Sequence, residues 1–466
     1  MHRMRISAWR VIVATAVGGA TIASGNACSN VNDTLLEAPI PTVIDPSAAD
    51  SPAGADALRI GALSRLRGIS AGAITGDSPW MFAGLLTDEW KSSDTFSQRN
   101  ETDQRSVQDN NANLTPILRD LYRARTSARE AITALVAFAP TPTANIGQMY
   151  TVMGIAETYI AEWFCNGAPL PDASTETPPA SAGLTNADIY NVAIAHFDSA
   201  LATASATDAF AVSIKNTAAV GKGRVLIELG KFPEAAAAVA AVPTNFQLLA
   251  TFSLTSGSNQ IWSLGQSAKR WTVGDSFDVT GIVKNSLPFA SAKDPRVPVT
   301  GTTLGTSPAG RGFDGSTNLV FTTLFARTDP TPILSGIDAR MIEAEAKLKA
   351  NDIAGMMSIL NALRAAPQNL GAVTTPVMTP LASPATQADA ITVFFRDKAF
   401  WTFARGQRLG DLRRLIRLYG RAQDGSDTFP SGAFFKGGTY AGDVNFPVTV
   451  DEQNNPQFKA CTDRKA

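Results

Sequence analysis

The 466-residue chain carries 40 Lys+Arg against 41 Asp+Glu, two His and three Cys, and 17% of its residues are charged. That length can build a sizeable core in one large domain or two to three smaller ones, while a net charge of −1 leaves no basic excess for a broad nucleic-acid surface. Two histidines exclude a His-rich metal site, and three cysteines exclude a disulfide-dense scaffold and a four-Cys zinc site.

The first 27 residues read as an export signal: basic Arg3, Arg5 and Arg10, an apolar run from Val11 to Ala23, then small Ser24, Gly25 and Ala27. The run is shorter than the ~20 residues a membrane-spanning helix needs. Cys28 follows where a bacterial lipoprotein carries its lipid, although Gly25 stands where Leu is usual; plain cleavage with a free Cys28 is the alternative. Loss of the signal removes His2 and three arginines, leaving a mildly acidic chain with His196 as its histidine. Residues 28–52 are polar and Pro-containing, a tether from a lipid anchor.

From residue 53 the spacing predicts a mainly α scaffold in a single domain, 53–466. Ala55–Ser70, Asn113–Phe138 and Ile146–Phe164 repeat apolar residues at three- and four-residue steps. Thr185 is the expected N-cap of the next helix, with Asp188 at its third position. His196 sits on that helix and is expected to be structural. Lys215–Leu229, the turn Gly230-Lys231-Phe232, then Pro233–Val242 closed by Pro243 outline a tetratricopeptide-like pair. Ser335–Lys349 and Ile353–Ala366, closed by Pro367, outline another. The scaffold is therefore an α-solenoid of helical pairs over about 53–243 and 333–366, with a loop-rich insertion at about 245–332 and a C-terminal region 367–466. Such insertions are where binding residues collect. Gly221-Lys222-Gly223 lacks P-loop spacing and reads as helix packing, and Asp424–Asp427 reads as a polar turn. Cys165 and Cys461 are either bridged or two separate thiols.

Four segments carry a family resemblance: Leu85–Phe96 (LLTDEWKSSDTF) with Arg99; Tyr159–Pro169 (YIAEWFCNGAP); Phe395–Leu415 (FRDKAFWTFARGQRLGDLRRL); and Asn445–Pro456 (NFPVTVDEQNNP). With Cys28 and the helix pairs, the chain resembles the SusD/RagB family of outer-membrane nutrient-uptake lipoproteins. Asp397, and Arg405 before Gly406, depart from the Glu that the family more often has at these places. The resemblance implies a cell-surface binding protein, not an enzyme, that takes an oligosaccharide or other nutrient without a cofactor. It also implies a SusC/RagA-like TonB-dependent transporter as partner and attachment to the outer membrane through lipidated Cys28. A scaffolding lipoprotein that binds other proteins is the second reading.

Arg396, Gly406, Arg408, Asp411 and Arg414 are expected to form a structural motif, with Asp411 at helical spacing from both Arg408 and Arg414. Ligand-binding candidates are Trp90, Asp94 and Arg99, then Trp262 and Trp271, because a sugar site combines an aromatic face with short polar groups. For Trp90 a core position is the competing reading. Asp88-Glu89 would suit glycosidase chemistry only with a carboxylate pair flanking one bond, and no such partner is apparent.

Overall fold

The computed structural model describes residues 50–171, 179–276, 286–301, 310–425 and 428–466. The signal, Cys28 and the tether up to residue 49 lie outside the described residues, as does half of the Asp424–Asp427 turn. The remainder is mainly helical, and no described helix is long and apolar enough to cross a membrane.

Helix α1 (Pro52–Gly68) packs on α4 (Leu114–Phe138); between them lie α2 (Pro79–Leu85), strand β1 (Trp90–Ser92) and α3 (Ser97–Asp103). α4 packs on α5 (Thr143–Trp163), which packs on α6 (Asn186–Thr203) beyond the short β2 (Ala168–Pro169) and β3 (Gly183–Leu184). α6 packs on α7 (Ala209–Glu228), and α7 on α8 (Phe232–Val239). Thr185 and Asp188 close the capping box of α6, satisfying backbone groups that a helix start otherwise leaves bare, an effect of about 1 kcal/mol. A Cβ on Gly221 would sit 2.4 Å from the Phe197 ring, so the glycine lets α7 approach α6 closely.

The long insertion then departs and returns. Strand β4 (Gln247–Ala250) pairs antiparallel with β8 (Thr331–Ser335), and this clasp closes the base of the insertion. Within it lie a π-helical turn at Ile261–Ser267, β5 (Trp271–Val273), β6 (Val299–Gly301) and β7 (Val320–Thr322). Because the clasp brings the ends together, α8 packs directly on α9 (Gly336–Lys349), and α9 on α10 (Ile353–Arg364). The two tetratricopeptide-like pairs are thus consecutive in space despite the insertion between them. After the short β9 (Asn369–Leu370) and β10 (Val373–Thr374) come α11 (Gln387–Trp401), which packs on α9, and α12 (Arg408–Arg417).

Helix α12 is clamped by buried charges. Arg414 makes a two-pronged pair with Glu345 of α9 at 3.0 Å, reaches Glu228 of α7, and bonds Asp411 at 2.6 Å. Lys398 of α11 bonds the same Asp411 at 2.6 Å. Arg405 forks onto Asp338, which completes the capping box that Ser335 opens on α9, and Arg224 of α7 forks onto Glu162 of α5. Two expectations for this motif need correction. Arg408 does not pair with Asp411; it forks onto Asp88 at 2.7 and 3.0 Å, a partner 320 residues away that helical spacing does not show. Arg396 stands outside the lattice on the exposed face of α11, and its neighbour Asp397 is the buried one, held by Arg296 and Arg364. Gly406 turns the chain from α11 to α12 at φ +65°, and a Cβ there would lie 2.4 Å from the Trp80 indole. Cys165, at the end of α5, is joined to Cys461 by a disulfide that ties the C-terminal tail to the middle of the chain.

Candidate functional site

Strand β1 pairs antiparallel with β5, matching Trp90 to Val273 and Ser92 to Trp271. This register brings residues 93–96 alongside Lys269 and Arg270, so the segment before α3 meets the insertion. Ser93 N bonds Arg270 O at 3.0 Å, and Phe313 N bonds Lys269 O at 2.8 Å. The loop bearing Phe313 is held rigid by Asp314, which accepts from Ser316 N, Thr317 N and the Thr317 hydroxyl. Lys436, from the C-terminal region, closes the cluster by bonding Asp94 O, Asn100 Oδ1 and Asp314.

The result is a ladder of alternating rings and guanidinium groups that runs from core to surface. The Arg99 guanidinium lies 4.6 Å from the Trp271 ring and 5.0 Å from Phe96. Arg270 lies 4.9 Å from Phe96 and 3.7 Å from Phe313. Such contacts are each worth about 0.5–2 kcal/mol according to exposure. Asp94 binds both cations, accepting from Arg99 and, at 2.7 and 2.9 Å, from Arg270; Asp77 holds Arg99 from its other side. Burial pushes the Asp94 carboxyl up, but hydrogen bonds from Arg270 and Arg99 outweigh it and hold the group below its ordinary value. Asp314 is likewise depressed, its burial outweighed by Lys436 and Thr317. Arg99, Arg270 and Lys436 thus meet Asp77, Asp94 and Asp314, and the cluster is charge-balanced.

The ladder rearranges the sequence-predicted residues. Asp94, Arg99 and Trp271 are all in it, but as its buried support; Trp271 is 0% exposed. Trp90 is 1% exposed and packs on Phe403 with ring centroids 5.1 Å apart, so it offers no ring face to a ligand. Trp262 lies apart on the π-helical turn, half-buried, with Arg327 5.7 Å from its ring. The rings that do reach solvent are Phe96, 46% exposed, and Phe313, 50% exposed, with half-buried Arg270 between them. Phe96 lies in the segment that the sequence singled out. Phe313 and Arg270 carry no local pattern that marks them; a search for aromatics flanked by turn residues in the insertion would have raised Phe313.

The acidic pair Asp88-Glu89 is withdrawn from any surface chemistry. Asp88 serves Arg408. Glu89 is buried, its Oε1 accepting from Ala404 N at 2.8 Å. Burial pushes its carboxyl up to about 8, against the opposing pull of that hydrogen bond and of Arg408. His196 bonds Glu157 at 2.6 Å and stacks on Tyr150, a structural role.

No protein-family model matches the sequence, and no curated protein does. Solved structures do match. A SusD superfamily protein from Bacteroides fragilis aligns with a TM-score of 0.63 at 14% identity, over 88% of this chain and 99% of its own. The chain has the SusD fold. A SusD superfamily protein from Bacteroides vulgatus aligns at 0.62 and 14% identity, over 88% and 98% of the two chains. A further Bacteroides vulgatus protein with this fold, provisionally described as sugar-binding, aligns at 0.59 and 12% identity over 89% and 99%. Within the SusD fold, this chain's ladder is built where the β1 segment, the long insertion and the C-terminal loop meet.

Proposed function

We propose that the protein is a nutrient-capture protein of the outer membrane. It binds an oligosaccharide at the rim formed by Phe96, Arg270 and Phe313 and passes it to a SusC/RagA-like TonB-dependent transporter. The observation that carries this reading is the pair of exposed phenyl rings set on a rigid, charge-balanced base. A sugar ring presents apolar C–H faces that stack on phenyl, and hydroxyls that need fixed donors and acceptors nearby. A balanced base suits a neutral ligand, because no surplus charge has to be desolvated when it binds. The SusD fold, shared with a neighbour described as sugar-binding, supports the same class. Attachment through lipidated Cys28 completes the reading, since acyl chains contribute about 0.8 kcal/mol per buried CH₂.

Binding and not hydrolysis is the proposed activity: Asp88 and Glu89, which drew attention in the sequence, are both committed to the interior. A glycan array with the mature protein tests the reading. Binding to a defined set of neutral oligosaccharides is the expected result; no retained glycan, with an associated protein recovered instead, would favour the scaffolding alternative. Mass spectrometry of the mature N-terminus tests the anchor, and an unmodified Cys28 would exclude it.

A further inference from the structure

Arg396 belongs to the motif that braces α12, yet it takes no part in the brace. It makes no hydrogen bond or ion pair among the described residues and lies exposed on α11. Its position is nonetheless a built one. On one side of it is a cavity of about 240 Å³, lined by Ala292, Asp294, Arg296, Arg364, Arg396 and Phe400 among others. On the other side a smaller hollow is lined by Leu287, Phe395, Arg408 and Arg421.

The charges in the larger cavity do not cancel. Asp397 is saturated: it accepts from Arg296, Arg364 and the Trp401 indole. Asp294 is bound two-pronged by Arg296 at 2.8 and 2.7 Å. Arg296 itself is buried, stacked 4.8 Å from Trp401 and 5.3 Å from Phe400. Arg364 spends Nε on Thr379 O and Nη1 on Asp397, leaving Nη2 without an acceptor among the described residues. Two carboxylates therefore face three guanidinium groups, and the surplus donors belong to Arg364 and Arg396. Unlike the aromatic rim, this cavity carries uncompensated positive charge over an apolar floor of Ala292, Leu381, Val393 and Phe400.

We infer that this cavity binds the carboxylate of a small acidic ligand, with Arg396 as the recognising fork and Arg364 as the second donor. A planar guanidinium matches a carboxylate with two parallel N–H···O bonds, and such charge-assisted pairs are about twice as strong as neutral ones. The volume lies just below the ~300–1,000 Å³ of drug-sized sites, which fits a single ring-sized unit. The carboxylate has two sources, an acidic sugar or a free organic acid.

Ligand-observed NMR titration of the mature protein with D-glucuronate, benzoate and D-glucose in separate samples tests this. Binding of at least one of the two acids, weakened by added salt, is expected, and which acid binds identifies the source. Arg396→Ala should weaken that binding roughly tenfold or more and leave any glucose binding as it was. Because Arg396 is exposed and has no partner among the described residues, the variant should keep the wild-type melting temperature; Arg396→Gln, closer in length, should give the same loss. Neither acid binding to the wild type, or unchanged binding in both variants, would overturn the inference.

Discussion

Two regions of this molecule use the same chemistry to opposite ends. Around α12, guanidinium groups and carboxylates are buried, many-partnered and drawn from distant elements: Arg414 reaches Glu228 and Glu345, and Arg408 reaches Asp88. At the rim, arginines and carboxylates are again paired, but two aromatic rings extend beyond them into solvent. The first arrangement fixes where helices sit relative to one another. The second fixes where two exposed rings sit relative to each other, at the proposed oligosaccharide rim. The buried arginine motif around α12 is therefore accounted for by helix placement, whereas the rim differs in carrying its stack out to exposed rings.

Breaking the buried lattice should have the largest effect. Arg414→Ala takes the shared partner from Glu228, Glu345 and Asp411, leaving Arg417 to the first and Lys398 to the other two, and removing one partner of a buried pair costs about 3–5 kcal/mol. Denaturant unfolding should show that loss, while oligosaccharide affinity of the remaining folded protein stays near wild type. Gly406→Ala comes next: a side chain at φ +65° that also meets the Trp80 indole should cost about 2–4 kcal/mol by the same measurement.

A pH series sharpens the contrast. Glu89 is pushed up from 4.5 to about 8 in the folded protein. The folded state then holds its proton where the unfolded chain has released it, so stability falls as pH rises from about 4.5 to about 8 and levels off above. Glu89→Gln should flatten that fall and make the variant comparatively more stable at pH 8. An unchanged slope in unfolding experiments would contradict the assignment of a neutral Glu89. Asp94 behaves oppositely: its carboxyl is held down by its arginines, so its own ion pairs persist across the same range and are lost only in acid.

Much of the scaffold was legible in the sequence, because helix pairs announce themselves by three-and-four spacing, a Gly turn and a closing Pro. The Thr185–Asp188 cap and the packing role of Gly221 follow from local rules that the fold does not override. The partner of Arg408 was not legible: Asp411 is three residues away and Asp88 is 320, and only the folded chain decides between them. Trp90 and Trp271 suit a sugar by residue type, but large rings also fill cores, and β1–β5 pairing turns both inward. Phe313 is hard to single out in the sequence because its importance comes from lying beside Arg270, a contact across the insertion.

The smallest expected effect on stability is also the most informative one on function. Phe313→Ala removes a half-exposed ring and its contact with Arg270, and should change stability by only about 0.5–1 kcal/mol. Calorimetric titration of this variant against the best oligosaccharide from the array tests the division between brace and rim most directly. Loss of one stacking ring should weaken binding by about 1–1.5 kcal/mol, roughly tenfold, with the Trp90→Phe control, altered only in the core, binding as the wild type does. Unchanged affinity in Phe313→Ala, or a loss in Trp90→Phe alone, would place the ligand elsewhere.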